Sequence, residues 1–317
     1  MINNRRVSVT TCLLLMLAGV GLWLLTAFTL VDAALPAGVD PGPASALHAR
    51  HHALLDQLAT NPFKRPLVLE STLTSNDVKG DIYAVVPHPF GKVSEALAKP
   101  QGWCEILILH LNTKYCSTSR EAQGPTLLMN VGKKFDQPLA DSFRLVFAWR
   151  LADQKADYLR VLLAADAGPL STRDYRIALE AVPLENGTTF LHLSYSYGYG
   201  VSGKLAMLAY FNTIGRGKVG FTIVGKDADS APSYVDGMRG LVERNTMRYY
   251  LAIESFLGAM AAPEGAQFEK RINDWFNAIE RYPRQLHEIE QAEYLEMKRR
   301  EYSRQQSGGA TGVAGAG

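Results

Sequence analysis

The chain has almost no charge excess. Its 33 lysines and arginines against 31 aspartates and glutamates leave a net charge of +2 over 317 residues. That balance excludes a strongly basic nucleic-acid binder and an acidic solvating tail as its main theme. Cysteine is scarce too, with three in all and no Cys-x-x-Cys, which removes support for a redox enzyme. No nucleophile elbow, zinc motif or pair of catalytic carboxylates stands out, so no catalytic residue, metal or cofactor is expected. The Gly-rich run 198–203 lacks the Lys-Ser/Thr of a phosphate loop and reads as a bend. His48, His51 and His52 share a helical face, but no second ligand cluster accompanies them, so they read as a solvated face. There is no internal repeat.

Apolar residues are plentiful. A hydrophobic fraction of 47% with 20% charged residues allows one large core or two modest ones. The distribution is uneven. Arg5 and Arg6 precede an apolar run at 11–31, long enough to cross a hydrocarbon core of roughly 30 Å as a helix. Val31 and Ala33 also form a small-residue cleavage site before Ala34. Residues 1–33 are thus a signal peptide or an uncleaved signal-anchor. Either reading exports the rest to the periplasm or another extracytoplasmic space, in the second case tethered to the inner membrane through 11–31. Cys12 falls inside the apolar run, leaving Cys104 and Cys116 in the exported part. An even count in an oxidising compartment favours a disulfide, with a pair of buried free thiols as the competing reading.

Residues 34–62 form a Pro/Gly-rich linker and a short helix carrying Leu47, Leu54, Leu55 and Leu58. Strand-like segments at 67–73 and 78–86 precede a helical pattern at 90–98 and a second apolar segment at 103–111. Strand patterns recur at 127–131, 142–151, 157–165, 175–182 and 188–197. Short turns join them, of which Asn186-Gly187 is the strongest hairpin signal. Residues 204–212 read as a helix and 222–224 as a short strand. The pattern at 232–260 is a long amphipathic helix, with Val235, Met238, Val242, Tyr249, Ile253, Phe256 and Met260 on one side. Residues 262–306 are a helical extension whose closing part, 288–304, is so densely charged that it reads as solvated or partner-seeking. Residues 307–317 read as a flexible tail.

Two strands, two helical segments, an antiparallel meander of five or six strands and a long closing helix make an α+β order that resembles the START/Bet v 1-like (SRPBCC, helix-grip) superfamily. The resemblance covers roughly Leu67 to Met260, within a helix-grip domain bounded at 63–261. Segment 78–86 leading into Pro87-His88-Pro89 and helix 90–98, with Trp103 after it, looks like the family's opening element, and 232–260 looks like its gripping helix. It implies a curved sheet around the long helix, with a cavity between them.

Strand alternation places Phe147 and Trp149 on one face of 142–151 and Arg150 on the other. On 188–199, Tyr195, Tyr197 and Tyr199 share a face opposite His192. Tyrosines suit a pocket wall, because the ring is apolar and the hydroxyl can orient a polar head. Asn245, beside Tyr249 on the long helix, is an amide that must find a partner. Phe147, Trp149, Tyr195, Tyr197, Tyr199, Tyr249, Arg150, His192 and Asn245 are therefore the candidate ligand-binding residues. The expected function is binding of a hydrophobic small molecule or lipid. Two alternatives stand beside it. One is a cyclase- or hydrolase-like enzyme using His192, Tyr197 and Asn245 on an apolar substrate. The other is an envelope assembly factor whose C-terminal helix docks a protein partner.

Overall fold

The computed structural model describes residues 42–122, 124–212, 215–227 and 229–311, which belong to one compact unit. The apolar run at 11–31 lies outside them. None of the helices among the described residues is long and apolar enough to cross a membrane.

Helices α1 (Gly42–Ala53) and α2 (Leu55–Ala59) lead into a hairpin of β1 (Leu67–Leu73) and β2 (Asp77–Val86). Pro89 then opens α3 (Phe90–Leu97), and Pro100, whose missing N–H costs nothing in a first turn, opens α4 (Pro100–Leu107). A six-strand meander follows: β3 (Thr113–Glu121), β4 (Gly124–Val131), β5 (Phe143–Gln154), β6 (Leu159–Ala167), β7 (Thr172–Pro183) and β8 (Thr189–Tyr199). The last strand returns beside β2, giving one antiparallel sheet in the order β1-β2-β8-β7-β6-β5-β4-β3. Beyond it come α5 (Val201–Asn212), a small hairpin of β9 (Ile223–Lys226) and β10 (Pro232–Tyr234), and the long α6 (Gly237–Ala259). The chain closes with α7 (Glu264–Ile279), α8 (Pro283–Leu286) and α9 (Gln291–Thr311).

Alternation explains which face of the sheet is covered. Val78, Ile82, Ala84, Leu191, Leu193, Tyr195, Ile177, Leu179, Val161, Leu163, Phe147 and Trp149 are all buried and share one face, and the core lies between that face and the helices α4, α6, α7 and α9. Helix α6 crosses β1, β2 and β8, and its closest approach is at Gly80. A Cβ there would stand 2.3 Å from the Thr246 hydroxyl oxygen, so glycine sets the spacing between helix and sheet. The opposite face carries a smaller core, in which Leu47 of α1, Leu58 of α2 and Leu54 between them meet Val68, Tyr158, Val182 and Phe190. His51 packs its ring 4.8 Å from Phe190.

Three sequence readings are corrected. The long helix begins at Gly237 and not at 232, because Pro232–Tyr234 pairs with β9 before Asp236 ends the extended segment. Strand β3 was not foreseen, since TKYCSTSRE is mostly polar; it is the sheet's edge strand, tied to α4 by the Cys104–Cys116 disulfide. The charged segment 288–304 is not a solvated helix: Tyr294, Met297, Lys298 and Glu301 are fully buried. The Lys298 ammonium donates to Glu301 at 2.7 Å and to the carbonyls of His110 and Thr113, and Lys114 donates to the other carboxylate oxygen at 3.0 Å. The Gln305 side chain accepts the backbone N–H of Cys116, one of the donors that an edge strand otherwise leaves open. These buried charges are spent on one another and on backbone groups, while Glu293, Glu296, Arg299 and Arg300 stay exposed on the helix's outer side.

Candidate functional site

The covered face of the sheet holds a cluster of aromatic rings. Tyr175 stacks on Tyr197 at 5.3 Å, Tyr197 lies 5.7 Å from Tyr195, and Tyr195 meets the edge of Tyr249 on α6 at 5.2 Å. Tyr249 in turn stacks on His110 at 5.0 Å. Asn245, one helical turn before Tyr249, hydrogen-bonds Tyr195, and Arg248 reaches toward its Oδ1 at 3.5 Å. The Tyr175 hydroxyl pairs with the Thr172 hydroxyl at 2.6 Å. Burial pushes the Tyr195 and Tyr249 hydroxyls upward from the ordinary phenol range, so both stay neutral.

His110 is the chemically distinctive member. It is 3% exposed, and burial together with Arg248, Lys298, Lys134 and Lys114 holds it well below the usual imidazole range. Its Nδ1 accepts the Asn112 backbone N–H at 3.2 Å, which assigns the proton of the neutral ring to Nε2. That Nε2 has no hydrogen-bond partner among the described residues, and neither does Nε1 of Trp149. An unpaired buried donor costs about 1–3 kcal/mol. Asn245 and Tyr249 keep some accessible surface although Tyr195, His110 and Tyr250 around them are buried.

Basic groups surround this end of the cluster. Arg248, Lys134 and Lys218 converge on Glu288 at 2.8, 2.6 and 3.1 Å. Burial would raise the Glu288 carboxyl, but these cations outweigh it and bring it down to about 2, while burial lowers Lys134 to about 8. Burial likewise lowers Lys298 to about 8 despite Glu301.

The structure therefore brings together Tyr195, Tyr197, Tyr249 and Asn245. Phe147 and Trp149 lie on the same face, two strands away from Tyr175 on β5. Tyr199 shares that face, but its hydroxyl is tied to the Thr74 carbonyl at 3.0 Å, at the strand end. Arg150 and His192 do not join the cluster, because alternation turns them to the opposite face; Arg150 is exposed there. His192 is clamped between Asp81 at 2.8 Å and Glu180 at 3.1 Å and stacks on Tyr83 at 4.4 Å. With both ring nitrogens bound to carboxylates, no nitrogen is left to serve as a base toward a nucleophile. Sequence reasoning missed Tyr175 and His110. Tyr175 opens a strand that carries no other aromatic residue, and His110 stands alone at the end of an apolar run, where a histidine is usually a packed core residue.

Two open hollows lie beside the sheet, and the second reaches the cluster at Tyr197. One, of about 290 Å³, is lined by residues including Asn61, Phe63, Leu67 and Phe221. The other, of about 330 Å³, touches Thr74, Asp77, Asp174 and Ser196 at the β1–β2 turn.

One eight-stranded antiparallel sheet, two short helices after its second strand and a long helix laid across β2 and β8 define the START/Bet v 1-like helix-grip arrangement. No family model and no curated protein matches the chain. Solved structures similar to it include norcoclaurine synthase from Thalictrum flavum, 14% identical over 47% of this chain and 78% of that one, with a TM-score of 0.30. Human StAR-related lipid transfer protein 5 is 8% identical over 53% and 88%, also at 0.30. A conserved protein from Geobacillus kaustophilus is 10% identical over 58% and 95%, at 0.33. Likeness at these scores adds nothing to the arrangement itself, which rests on strand order and on the helix across it.

Proposed function

We propose that the protein binds a hydrophobic, lipid-like ligand between the sheet and α6, with the ligand's polar end at His110, Tyr249 and Asn245. The observation that carries this reading is the unpartnered Nε2–H of His110 beside the partly accessible Tyr249, in an interior otherwise walled by aromatic rings. A hydrogen-bond acceptor on the ligand would satisfy that donor, and the excess of cations over carboxylates around it favours an acidic head such as a carboxylate. The apolar remainder would lie along Tyr195, Tyr197 and the aliphatic rows of β6 and β7. The tyrosines are in mutual contact, so entry requires their rings to part, which apolar stacking permits more readily than an ionic lock does.

The same reading places the protein outside the cytoplasm, released or tethered by residues 11–31. The Cys104–Cys116 disulfide supports an oxidising compartment. The enzymatic alternative loses His192 to the opposite face and keeps only Tyr197 and Asn245.

Native mass spectrometry and organic extraction of the purified protein test the proposal, together with titration by a fluorescent fatty acid. We expect a bound amphiphile, or fatty-acid binding that weakens about tenfold in His110→Phe, the equivalent of roughly 1.4 kcal/mol. A ligand-free protein that takes up no fatty acid, or one whose uptake is unchanged by His110→Phe, would overturn it.

A further inference from the structure

Helix α5 is an insertion between the sheet and α6, and it turns its apolar side outward. Val201, Leu205 and Leu208 are 80%, 63% and 49% exposed, at the spacing that puts them on one helical face. The other side packs through Gly203 and Met207. A Cβ at Gly203 would stand 3.1 Å from the Ser171 carbonyl and 3.3 Å from that of Leu170. Two further exposed leucines stand at the same end of the sheet. Leu170 is 52% exposed in a turn where it and Ser171 both adopt left-handed backbone, at φ of 57° and 58°. Leu73 is 49% exposed before the β1–β2 turn, which Tyr199 binds through its backbone N–H to Asn76 at 2.8 Å. Holding a leucine left-handed costs about 1–2 kcal/mol, and here the strain presents its side chain to solvent.

Along the chain on either side of α5 the charges are of one sign. Between Glu185 and Asp227 the chain has no acidic residue, while Lys204, Arg216 and Lys226 are exposed. Lys218 is taken up by Glu288. Asp77 and Asp174 stand near the strand ends, and Asp174 is paired with Arg173 at 2.6 Å. Val201 and the leucines come from helix α5, the Leu170 turn and the end of β1, all at one end of the sheet. Apolar side chains spread over three elements beside exposed lysines suit a lipid interface better than a peptide.

We propose that α5 and the Leu170 turn insert shallowly into the surface of an anionic bilayer, with Leu73, Leu170, Val201, Leu205 and Leu208 among the acyl chains and Lys204 at the headgroups. This proposal does not rest on the ligand reading, since it stands on the exposed leucines and Lys204 and is read by vesicle binding.

Residues 41–317 form one compact unit that holds the whole described core, so this fragment is suitable for a flotation assay free of the apolar run at 11–31. It should float with mixed phosphatidylcholine–phosphatidylglycerol vesicles and much less with phosphatidylcholine alone. Val201→Glu with Leu205→Glu should reduce the bound fraction at least about tenfold. Lys204→Glu should reduce it about fivefold or more, in a salt-dependent way. All three positions are exposed, so melting temperatures should hold, and Leu208→Glu gives an independent second variant. Failure to float, or flotation unaffected by the apolar variants, overturns the proposal. So does concentration-dependent self-association abolished by the same variants without vesicle binding, which would assign the patch to a second copy of the chain. Equal flotation on both vesicle types overturns the anionic requirement.

Discussion

The two ends of the covered sheet face are held in opposite ways. Beneath α6, Tyr175, Tyr195, Tyr197 and Tyr249 meet ring to ring, with few directional bonds and with an imidazole N–H left unpaired at their margin. Against β3, α9 is fastened by Lys114, Lys298 and Glu301, all fully buried, with each ammonium bonded to backbone carbonyls as well as to the carboxylate. Ring packing is weakly directional and can shift with modest loss. A buried ionic lock has one good geometry and fails when a partner is removed. The tyrosine end is therefore the region that can re-pack at modest cost, and the α9 end is the frame that keeps the edge strand in place.

The contrast can be broken most directly at Glu301. Glu301→Gln leaves two buried lysines without a counter-charge and should cost about 3–5 kcal/mol in urea unfolding. A loss under about 1 kcal/mol would mean that apolar contacts of Tyr294 and Met297, and not charge, hold α9.

The opposite face supplies a smaller effect with a pH signature. Burial alone would lower the His192 pKa, but hydrogen bonds with Asp81 and Glu180 outweigh it and raise it. A raised imidazole value gives stability that is fully present below the unfolded value of about 6.5 and is lost as pH rises through the folded value. His192→Gln should thus destabilise by about 1–2 kcal/mol near pH 6 and by less in mild alkali, read as the difference between wild-type and variant urea curves across pH. A pH-independent difference would show that the clamp acts only by packing.

The smallest effect belongs to the tyrosines. Tyr195→Phe removes the hydroxyl bonded to Asn245 and keeps the ring, and should cost about 0.5–1.5 kcal/mol by the same measurement. A loss as large as that of Glu301→Gln would erase the difference between the two ends.

How far the sequence could be read varies by element. The alternating rows of β5 and β8 were legible because a strand reverses side-chain direction at every residue, so Phe147 and Trp149, and Tyr195 to Tyr199, were placed on shared faces without coordinates. The same rule separated Arg150 and His192 from them, although it could not say which face the helices would cover. Strand β3 was hidden because its pairing partner, its disulfide and Gln305 support a segment with little apolar content of its own. Helix α9 was misread because Lys298 and Glu301 look like any exposed i,i+3 pair until Lys114 is brought beside them. His110 gave no local sign that one of its nitrogens would stay unpaired in a ring stacked on a tyrosine of α6.

Local order is what the sequence determined alone: most strands against helices, the hairpin at Asn186-Gly187, the presence of the long amphipathic rod and the sidedness of β5 and β8. These follow from repeat periods of two or of about 3.6 residues, which leave their mark within a few positions. Only the tertiary structure decided which charges disappear into the interior and which donor stays unpaired there. Lys114 and Glu301 are 187 positions apart, and an attraction at that separation has no periodicity by which to announce itself.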